Sequence, residues 1–300
     1  MKSPLFSIVI PVFNRAHLIA RTLNSVAAQT FRDYELIVVD NASTDTTLDV
    51  VRDWGKAHPD VDLVVLHEPQ RGAAKARNCG LNAARGAWTL FFDSDDTMDA
   101  RLLVIVRPLT DRADIVGWNV RIHRLDGSVI VQKSRAKRAL FHTIFNGNLS
   151  TQRYAARTDL IRSVGGWNGS LRGWDDIELG VRLLLAKPEF RTLGVALVDI
   201  YAQEESITGR RHADDPAKWE SALDSISSLL HDAHNARAER WVNMRRAILA
   251  GQYVAEGNKA EGERLIGEVL GKVNGRRLLY RFAYRHTARG RRGAARLPWK

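Results

Sequence analysis

The chain has 300 residues, of which 45% are hydrophobic, and a formal net charge of +11 at pH 7. This length and apolar fraction are those of a globular protein with a real core, built as one large or two ordinary domains. Ten of its Lys and Arg residues lie in residues 271–300, which contain no Asp or Glu. The basic character therefore belongs to one segment and does not make the whole protein a nucleic-acid binder.

The single cysteine, Cys79, excludes a disulfide within the chain. No apolar run approaches the roughly 18 residues that span a bilayer. The apolar N-terminal stretch is interrupted by Pro11 and Asn14, and no small-residue cleavage pattern follows it. We therefore expect a chain without a signal peptide, cytoplasmic and at most peripheral to the inner face of the membrane.

Four apolar runs alternate with helical patterns in the first part of the chain. Strands are predicted over residues 6–13, 35–39, 61–66 and 88–92, because continuous β-branched runs are typical of strands buried on both faces. Apolar residues at helical spacing predict the helices between them, and Gly86 is a good stop for the third. This alternation predicts a Rossmann-like, mostly parallel sheet flanked by helices.

Polar side chains follow three of these strands where each strand ends. Asn14 follows the first, Asp40 the second, and Asp93 and Asp95 the fourth. Ligands of such sheets bind outside the carboxyl ends of the strands. A shared nucleotide pocket is therefore a better interpretation than three unrelated solvated turns.

The stretch FFDSDD, ending at Asp96, carries the most chemistry. A carboxylate, a spacer and a second carboxylate at a strand end suit a hard divalent cation, which prefers oxygen ligands. A calcium loop counted from Asp93 would need Gly and Glu where Met98 and Val104 stand, so that reading fails. A plain acidic turn remains open at this point.

The rest of the chain is less regular. Strands over residues 115–122 and 129–131 flank an Asp-Gly pair, which predicts a hairpin. Asp175 and Asp176 begin a helix that reaches about residue 186, and the Trp and Gly residues around them indicate a shaped cleft rather than mere helix-dipole partners. Three helices are predicted over 219–236, 238–256 and 258–270, followed by a basic amphipathic helix. We expect a catalytic domain over residues 1–210 and a helical region with a basic tail over residues 211–300.

Five motifs in this order and spacing resemble glycosyltransferase family 2: SIVIPVFNR, VVDNASTD, RGAAKARNCGL, FFDSDD and GWDDIEL. The resemblance covers about residues 6–208 and implies an A-type nucleotide-sugar-binding fold. It also implies an inverting enzyme that uses a nucleotide diphosphate sugar, usually a UDP-sugar, with Mg or Mn. The acceptor would be a surface glycan or a lipid-linked precursor, as in polysaccharide biosynthesis of the cell envelope.

The resemblance also implies roles for individual residues. Asp40 would contact the base, Asp93 the ribose side, and Asp95 the metal. Asp176 would be the general base, beside Asp175, which stands where the family commonly has Glu. The further residues expected at the nucleotide sugar are Pro11, Phe13, Asn14, Arg15, Arg71, Arg77 and Ser94, and those expected on the acceptor side are Trp167 and Trp174.

Two departures qualify this expectation. Many relatives have a metal-ligating His three residues before a Ser, and counting back from Ser206 gives Gln203. The Gln-x-x-Arg-Trp motif of processive synthases is not found in the sequence, which favours addition of a single sugar.

Two other functions compete with this one. A nucleotidyltransferase would need a glycine-rich, Lys- or Arg-bearing loop after the first strand, and PVFNR is not one. A non-catalytic module, binding through its helical end, predicts that the acids are dispensable. For the basic tail, an anionic membrane surface and a solvated, partly disordered end are both favoured over nucleic acid.

Overall fold

The computed structural model describes residues 3–203, 211–273, 275–291 and 293. Its first part is the predicted alternation of strands and helices. The elements are β1 (Phe6–Val12), α1 (Ile19–Ala27), β2 (Tyr34–Asp40), α2 (Thr47–Ala57), β3 (Asp62–His67), α3 (Ala73–Ala83) and β4 (Trp88–Phe91). β1 pairs in parallel with β2 on one side and with β4 on the other, and β3 pairs in parallel with β2.

The parallel strands are buried by helices that approach them closely. Every residue of β2 is buried, as the continuous apolar run predicts. Gly80 of α3 faces β1, where a Cβ would lie 2.4 Å from Cγ1 of Val9. Only a residue without a side chain allows α3 to pack at this distance, so the glycine in the RGAAKARNCGL motif fixes the spacing of helix and sheet.

The second part of the chain extends this sheet. Its elements are β5 (Thr97–Met98), α4 (Leu102–Val106), β6 (Ile115–His123), β7 (Val129–Gln132), α5 (Ala139–Asn146), β8 (Tyr154–Arg157), α6 (Thr158–Ser163), α7 (Asp175–Leu185) and β9 (Phe190–Tyr201). The strand order is β3-β2-β1-β4-β8-β6-β9-β5, and β7 pairs with β6. The predicted hairpin is confirmed as the antiparallel pair β6–β7. β5, β8 and β9 were not predicted.

The C-terminal helices form a layer around one central helix. They are α8 (Pro216–Asp232), α9 (Ala236–Ala255), α10 (Lys259–Lys272) and α11 (Arg277–Ala288). Three of them begin at a side-chain cap: Asp215, Asn235 and Asn258 each accept a hydrogen bond from a backbone N–H three residues on. These caps fix where the predicted helices begin.

The helical layer packs directly on the preceding part of the chain. Ile144 and Phe145 of α5 and Ile177 and Val181 of α7 belong to one hydrophobic cluster with the residues of α8 to α11. Residues 204–210, which contain the predicted domain boundary, lie outside the described residues. The two regions thus share a core cluster on either side of that boundary.

Within the residues that the structure describes, no helix combines the length and the apolarity that crossing a membrane requires.

Candidate active site

A cavity of about 610 Å³ opens at the carboxyl ends of β1 and β4. It brings together residues that are far apart in the sequence, as the positions of the strand ends predict. The predicted site residues that line it are Pro11, Phe13, Arg15, Arg71, Asp93, Ser94, Asp95 and Asp176.

Asn14 and Asp40 stand behind this lining and hold its loops. Asn14 has a left-handed backbone (φ 50°), and its Oδ1 accepts from the N–H of Thr44 at 2.8 Å. Asp40, buried at the end of β2, accepts from the N–H of Ser43 at 3.2 Å, and its Oδ2 lies 3.0 Å from Nδ1 of His67. Neither side chain lines the cavity, so any contact of Asn14 or Asp40 with the base would be made at the edge of the cavity.

Asn41 does line the cavity, and it ties two loops together. Its Oδ1 accepts from the N–H of Gly72 at 2.7 Å, and its Nδ2 donates to the carbonyls of Glu68 and Gln70 at 3.0 and 2.9 Å. The neighbouring Arg71 places its guanidinium 4.5 Å from the ring centre of Phe13. On this side of the cavity, a planar guanidinium therefore forms a cation–π contact with an aromatic ring.

The acids after β4 crowd one wall of the cavity. Burial and the charge of Asp93 raise the pKa of Asp95. Asp96 is buried, and its pKa is raised well above the usual range by burial and by the charges of Asp93 and Asp95. Asp96 accepts hydrogen bonds from Gln152 and, at 2.9 Å, from the N–H of Tyr201. Burial and mutual repulsion outweigh the nearby charges of Arg15 and Arg21 at Asp95, and a bound cation would reduce that repulsion.

Arg77 links the two acidic segments. Its Nη2 donates to Asp93 at 3.0 Å and its Nη1 to Asp175 at 3.2 Å. The guanidinium is buried and lies 4.4 Å from the ring centre of Trp167. Arg77 is therefore placed behind the cavity, where it holds the FFDSDD and GWDDIEL segments in fixed relation.

Asp176 stands in the first turn of α7 and lines the same cavity as Asp95. Burial and the negative charge of Asp175 raise its pKa to about 7. Two buried guanidinium groups lie near enough to act on it by charge: Arg153, and Arg245 from α9. Their pKa values are lowered to about 10 by burial. A carboxyl group that titrates near neutral pH is suited to accept a proton during a reaction.

Neither predicted acceptor-side tryptophan lines the cavity. Trp167 is buried beneath Arg77 and packs edge-on against Phe91 at 5.0 Å. Trp174 turns toward the helical layer, where its ring centre lies 5.1 Å from that of Trp219. Both rings pack behind the wall that carries the acids, and their contact with an acceptor stays a prediction.

The donor set fits a divalent cation that shares its ligands with a bound phosphate. Asp93 and Asp95 offer carboxylates to the cavity. No cluster of three His, Cys, Asp or Glu side chains able to hold a metal occurs among the described residues. Magnesium is commonly held by one or two carboxylates, with substrate phosphates and water completing the shell. Gln203, which stands where many relatives have a metal-ligating His, lies within the described residues. Ser206, the residue that marks this position, lies outside them.

Several lining residues were missed from the sequence. Asn41 and Gly72 stand inside motifs that were recognised, and Asp96 ends FFDSDD, so their signal was present. The others carried no local signal, because separate segments bring them to the cavity only in the folded chain. These are Ser150, Thr151, Gln152, Ile200 and Tyr201.

Comparison with protein families matches the one described as Glycosyl transferase family 2 over residues 7–167, more than half of the chain. A PGL/p-HBAD biosynthesis glycosyltransferase of Mycobacterium bovis (strain BCG / Pasteur 1173P2) is 30% identical over 189 residues, which are 61% of this chain and 70% of that protein. Glycosyltransferase AglE of Haloferax volcanii is 29% identical over 181 residues, 58% of this chain and 59% of that protein.

Solved structures share the fold. S. aureus TarS 1-349 in complex with UDP-GlcNAc matches with a TM-score of 0.71 at 21% identity, over 95% of this chain and 92% of that chain. The mannosyltransferase PcManGT of Pyrobaculum calidifontis, in complex with GDP-Man and Mn2+, matches with a TM-score of 0.60 at 19% identity, over 96% and 85%. The predicted A-type fold is thereby confirmed, and an enzyme is favoured over a non-catalytic module. The chain therefore belongs to glycosyltransferase family 2 and is a glycosyltransferase.

Proposed function

We propose that the protein is an inverting enzyme that moves a single sugar from a nucleotide diphosphate sugar, a UDP-sugar, to a hydroxyl group of a surface-glycan or lipid-linked acceptor. The observation that carries this proposal is that Asp95 and Asp176 line one cavity. The TarS and PcManGT structures contain UDP-GlcNAc and GDP-Man, which supports a nucleotide sugar as donor.

The β1–β4 side of the cavity would hold the donor. Phe13 and Arg71 can enclose the base, with Asp40 at its edge, and Asp93 and Ser94 can reach the ribose side. Arg15 lies at the end of β1, where a cationic side chain can meet a diphosphate oxygen. Asp95 would hold Mg²⁺ or Mn²⁺. A divalent cation bound there would neutralise the charge that develops on the leaving diphosphate.

The α7 side would carry out the proton transfer. In an inverting reaction, the acceptor oxygen attacks the anomeric carbon on the face opposite the leaving group, and the bond to the diphosphate oxygen breaks as the new bond forms. Asp176 would take the hydroxyl proton during that attack. Arg77 would keep Asp175 in place, so that its negative charge raises the pKa of Asp176 toward the working pH.

The basic tail offers support for a membrane-peripheral location. α11 exposes Leu278 and Phe282, four residues apart on one face, among basic side chains. A helix of this composition can lie on an anionic membrane. Part of the tail, residues 274, 292 and 294–300, lies outside the described residues. A location at the inner face of the membrane would place the enzyme beside a lipid-linked acceptor.

The test is a screen of nucleotide sugars for donor hydrolysis and binding with Mg²⁺ or Mn²⁺. We expect one donor to bind in a metal-dependent manner, and Asp95→Ala to abolish that dependence. Ser150→Ala, a change in the same cavity with no carboxylate lost, is the matched control and should retain the metal dependence. Metal-independent binding that Asp95→Ala leaves unchanged would overturn the role of Asp95.

A further inference from the structure

The tip of the β6–β7 hairpin exposes a group of aliphatic side chains. Leu125 is 67% exposed, Val129 51%, Ile130 36% and Val131 54%. Single exposed aliphatic residues are ordinary on a protein surface, but Val129 and Val131 share one face of β7, Ile130 lies on the other face, and Leu125 lies in the turn. This concentration of exposed apolar side chains in one short hairpin indicates a binding surface.

Basic residues flank these aliphatic residues in the sequence. The hairpin and the segment after it, residues 124–138, contain one acidic residue, Asp126, and five basic ones: Arg124, Lys133, Arg135, Lys137 and Arg138. All five are exposed, and none forms a salt bridge with another described residue. Exposed apolar side chains in one segment with exposed cations match the chemistry of an anionic lipid surface, with acyl chains beneath a layer of negative headgroups.

The hairpin is rooted at the rim of the cavity. Ile122 and His123 at the end of β6 pair with Ile200 and Tyr201, which line the cavity. On the other arm, the N–H of Arg135 donates to Oδ1 of Asn148 at 2.9 Å, just before the lining segment 150–152. A membrane or another partner that binds the hairpin tip would therefore lie beside the mouth of the cavity.

We propose that residues 124–138 dock on an anionic lipid surface and so bring a membrane-held acceptor to the cavity. The choice of acceptor rests on the proposed function, whereas binding of the hairpin to lipid does not. This surface is separate from the basic tail, and the two contacts can be tested independently.

The experiment is co-sedimentation of the full chain with vesicles of phosphatidylcholine that contain or lack 30 mol% phosphatidylglycerol, the probe composition, at low and high salt. Leu125→Ser with Val129→Thr and Val131→Thr removes apolar surface but keeps the β-branched strand. Lys133→Glu with Lys137→Glu reverses charge. The matched controls are Val195→Thr, on an exposed residue of β9, and Arg52→Glu with Arg112→Glu on exposed sites elsewhere.

We expect each hairpin variant to reduce binding to anionic vesicles at least tenfold, and the controls to leave it unchanged. Nucleotide binding should persist in all of them, which separates a failure of this proposal from a failure of the proposed function. Unchanged vesicle binding by the hairpin variants would overturn the proposal. The proposal would also be overturned if the hairpin variants lost self-association in sedimentation velocity but kept lipid binding. The exposed residues would then form a contact between copies of the chain.

A second inference comes from the start of α7. Trp174, immediately before Asp175, has a left-handed backbone with φ 50°. Bulky residues rarely adopt this conformation, and it persists only where surrounding contacts impose it. At the preceding Gly173, a Cβ would lie 3.0 Å from a ring atom of Trp219, so the chain passes very close to α8.

Three side chains of the C-terminal region hold the ring of Trp174. The guanidinium of Arg245 lies 4.5 Å from its centre, Trp219 5.1 Å and His212 6.0 Å. Arg245 also donates to the carbonyl of Phe145, at 3.2 Å, which ties the same group to α5. These contacts hold the residue immediately before α7.

We infer that Arg245 and Trp219 are positioning residues that set the first turn of α7, and with it Asp176. This inference rests on the proposed role of Asp176 as the base. The helical region would thus complete the active site without touching the substrate.

Trp219→Ala should lower kcat about 100-fold, the effect of a shift of about 1 Å in a reacting group. The affinity for nucleotide should remain unchanged, and Trp219→Phe, which keeps an aromatic ring, should recover most of the rate. A loss of nucleotide affinity equal to the loss in kcat would overturn the inference, because it would indicate general damage to the fold. An Asp176→Asn enzyme that stays active would instead refute the proposed role of Asp176 as the base, which is distinguishable from a failure of the positioning role.

Arg245→Gln gives a readout that a purely structural role would not change. The charged and titratable groups that face Asp176 are Arg77, Asp93, Arg153, Tyr154, Asp175 and Arg245. Loss of the Arg245 cation disfavours the carboxylate form of Asp176, so the acid limb of the rate should move to higher pH. Arg245→Lys should restore it, and a limb that does not move in Arg245→Gln would exclude Arg245 from this role.

Discussion

The two sides of the cavity are built in different ways. On the proposed donor side, Asp93 and Asp95 follow β4, a strand that pairs with β1 on one side and β8 on the other, and their position follows from the strand itself. On the opposite side, Asp176 lies in the first turn of a helix whose preceding residue is strained and held by side chains from α8 and α9. The donor side is thus encoded locally, whereas the base side depends on packing between distant parts of the chain.

The extent of the family match agrees with this difference. It ends at residue 167, before Asp175. The segment that carries Asp93 and Asp95 lies inside this match, whereas GWDDIEL lies beyond it, and the helical layer has no motif of its own. Substitutions on the two sides should therefore have separable effects on donor binding and on transfer.

Asp176→Asn should have the largest effect, because it removes the proposed proton acceptor and leaves the proposed donor side intact. We expect transfer to fall about 10²–10⁴-fold, the usual contribution of general-base catalysis. Nucleotide affinity should stay within twofold. Steady-state transfer rates and calorimetric binding of the nucleotide measure the two effects.

Asp175→Asn is the informative companion to that variant. It keeps the shape of the pair but loses the charge that raises the pKa of Asp176 and the partner of Arg77. If Asp176→Asn remained active while Asp175→Asn did not, the base would have to be reassigned to Asp175.

Arg77→Ala should give the next largest effect, because it breaks the link between the two sides. It would leave Asp93 and Asp175 without their shared cation, and removing one partner of a buried ion pair typically costs about 3–5 kcal/mol. Urea unfolding measures this loss, and both donor affinity and transfer should fall together. Arg52→Ala, on an exposed residue without an ion pair in the described structure, should change stability by less than about 0.5 kcal/mol.

The sheet illustrates what the sequence alone can predict. β1 to β4 are short, apolar and separated by helical patterns, so local residue choice is enough to define them. β8 has only four residues, and β9 mixes buried with exposed positions along twelve. Their strand character is imposed by pairing with β4 and β6, so no local signal predicts it.

The site shows the same limit. Asp40, Asp93 and Asp95 were predicted because acids at strand ends carry a physical meaning, whereas the role of Asp176 was implied by the resemblance of GWDDIEL to the family. The placement of Trp174 against the helical layer was not, because its surroundings come from α8 and α9, which follow it in the chain by dozens of residues. Aromatic rings near a catalytic acid suggest a cleft from sequence, but only packing decides which side they face.

The pH dependence of transfer tests the α7 side separately, with an expected change in rate of about tenfold. The pKa of Asp176 is raised to about 7 by burial and by Asp175, so the fraction in the base form rises about tenfold from pH 6 to pH 8. Transfer should follow that rise. Stability should change in the opposite direction: the folded chain retains a proton that the unfolded chain loses near pH 4, so the free energy of unfolding falls as pH rises from about 4 to 7. Asp176→Asn should flatten this trend in stability, and an unchanged slope would contradict the raised pKa.

The smallest effect should come from Tyr253→Phe in the helical region. The ring of Tyr253 is fully buried in α9, and its hydroxyl can donate to the carbonyl of Pro216, 3.3 Å away, or to Oε1 of Glu220, 3.2 Å away. Losing one such bond while the ring stays packed should cost about 1 kcal/mol in urea unfolding. Because the hydroxyl lies between α8 and α9, its loss would weaken the packing of the helices that hold Trp174 but would leave them folded. If the helical region acts only by positioning α7, kcat should fall slightly while nucleotide affinity does not change, and an equal fall in both would mean that the two sides of the cavity are supported by the same packing.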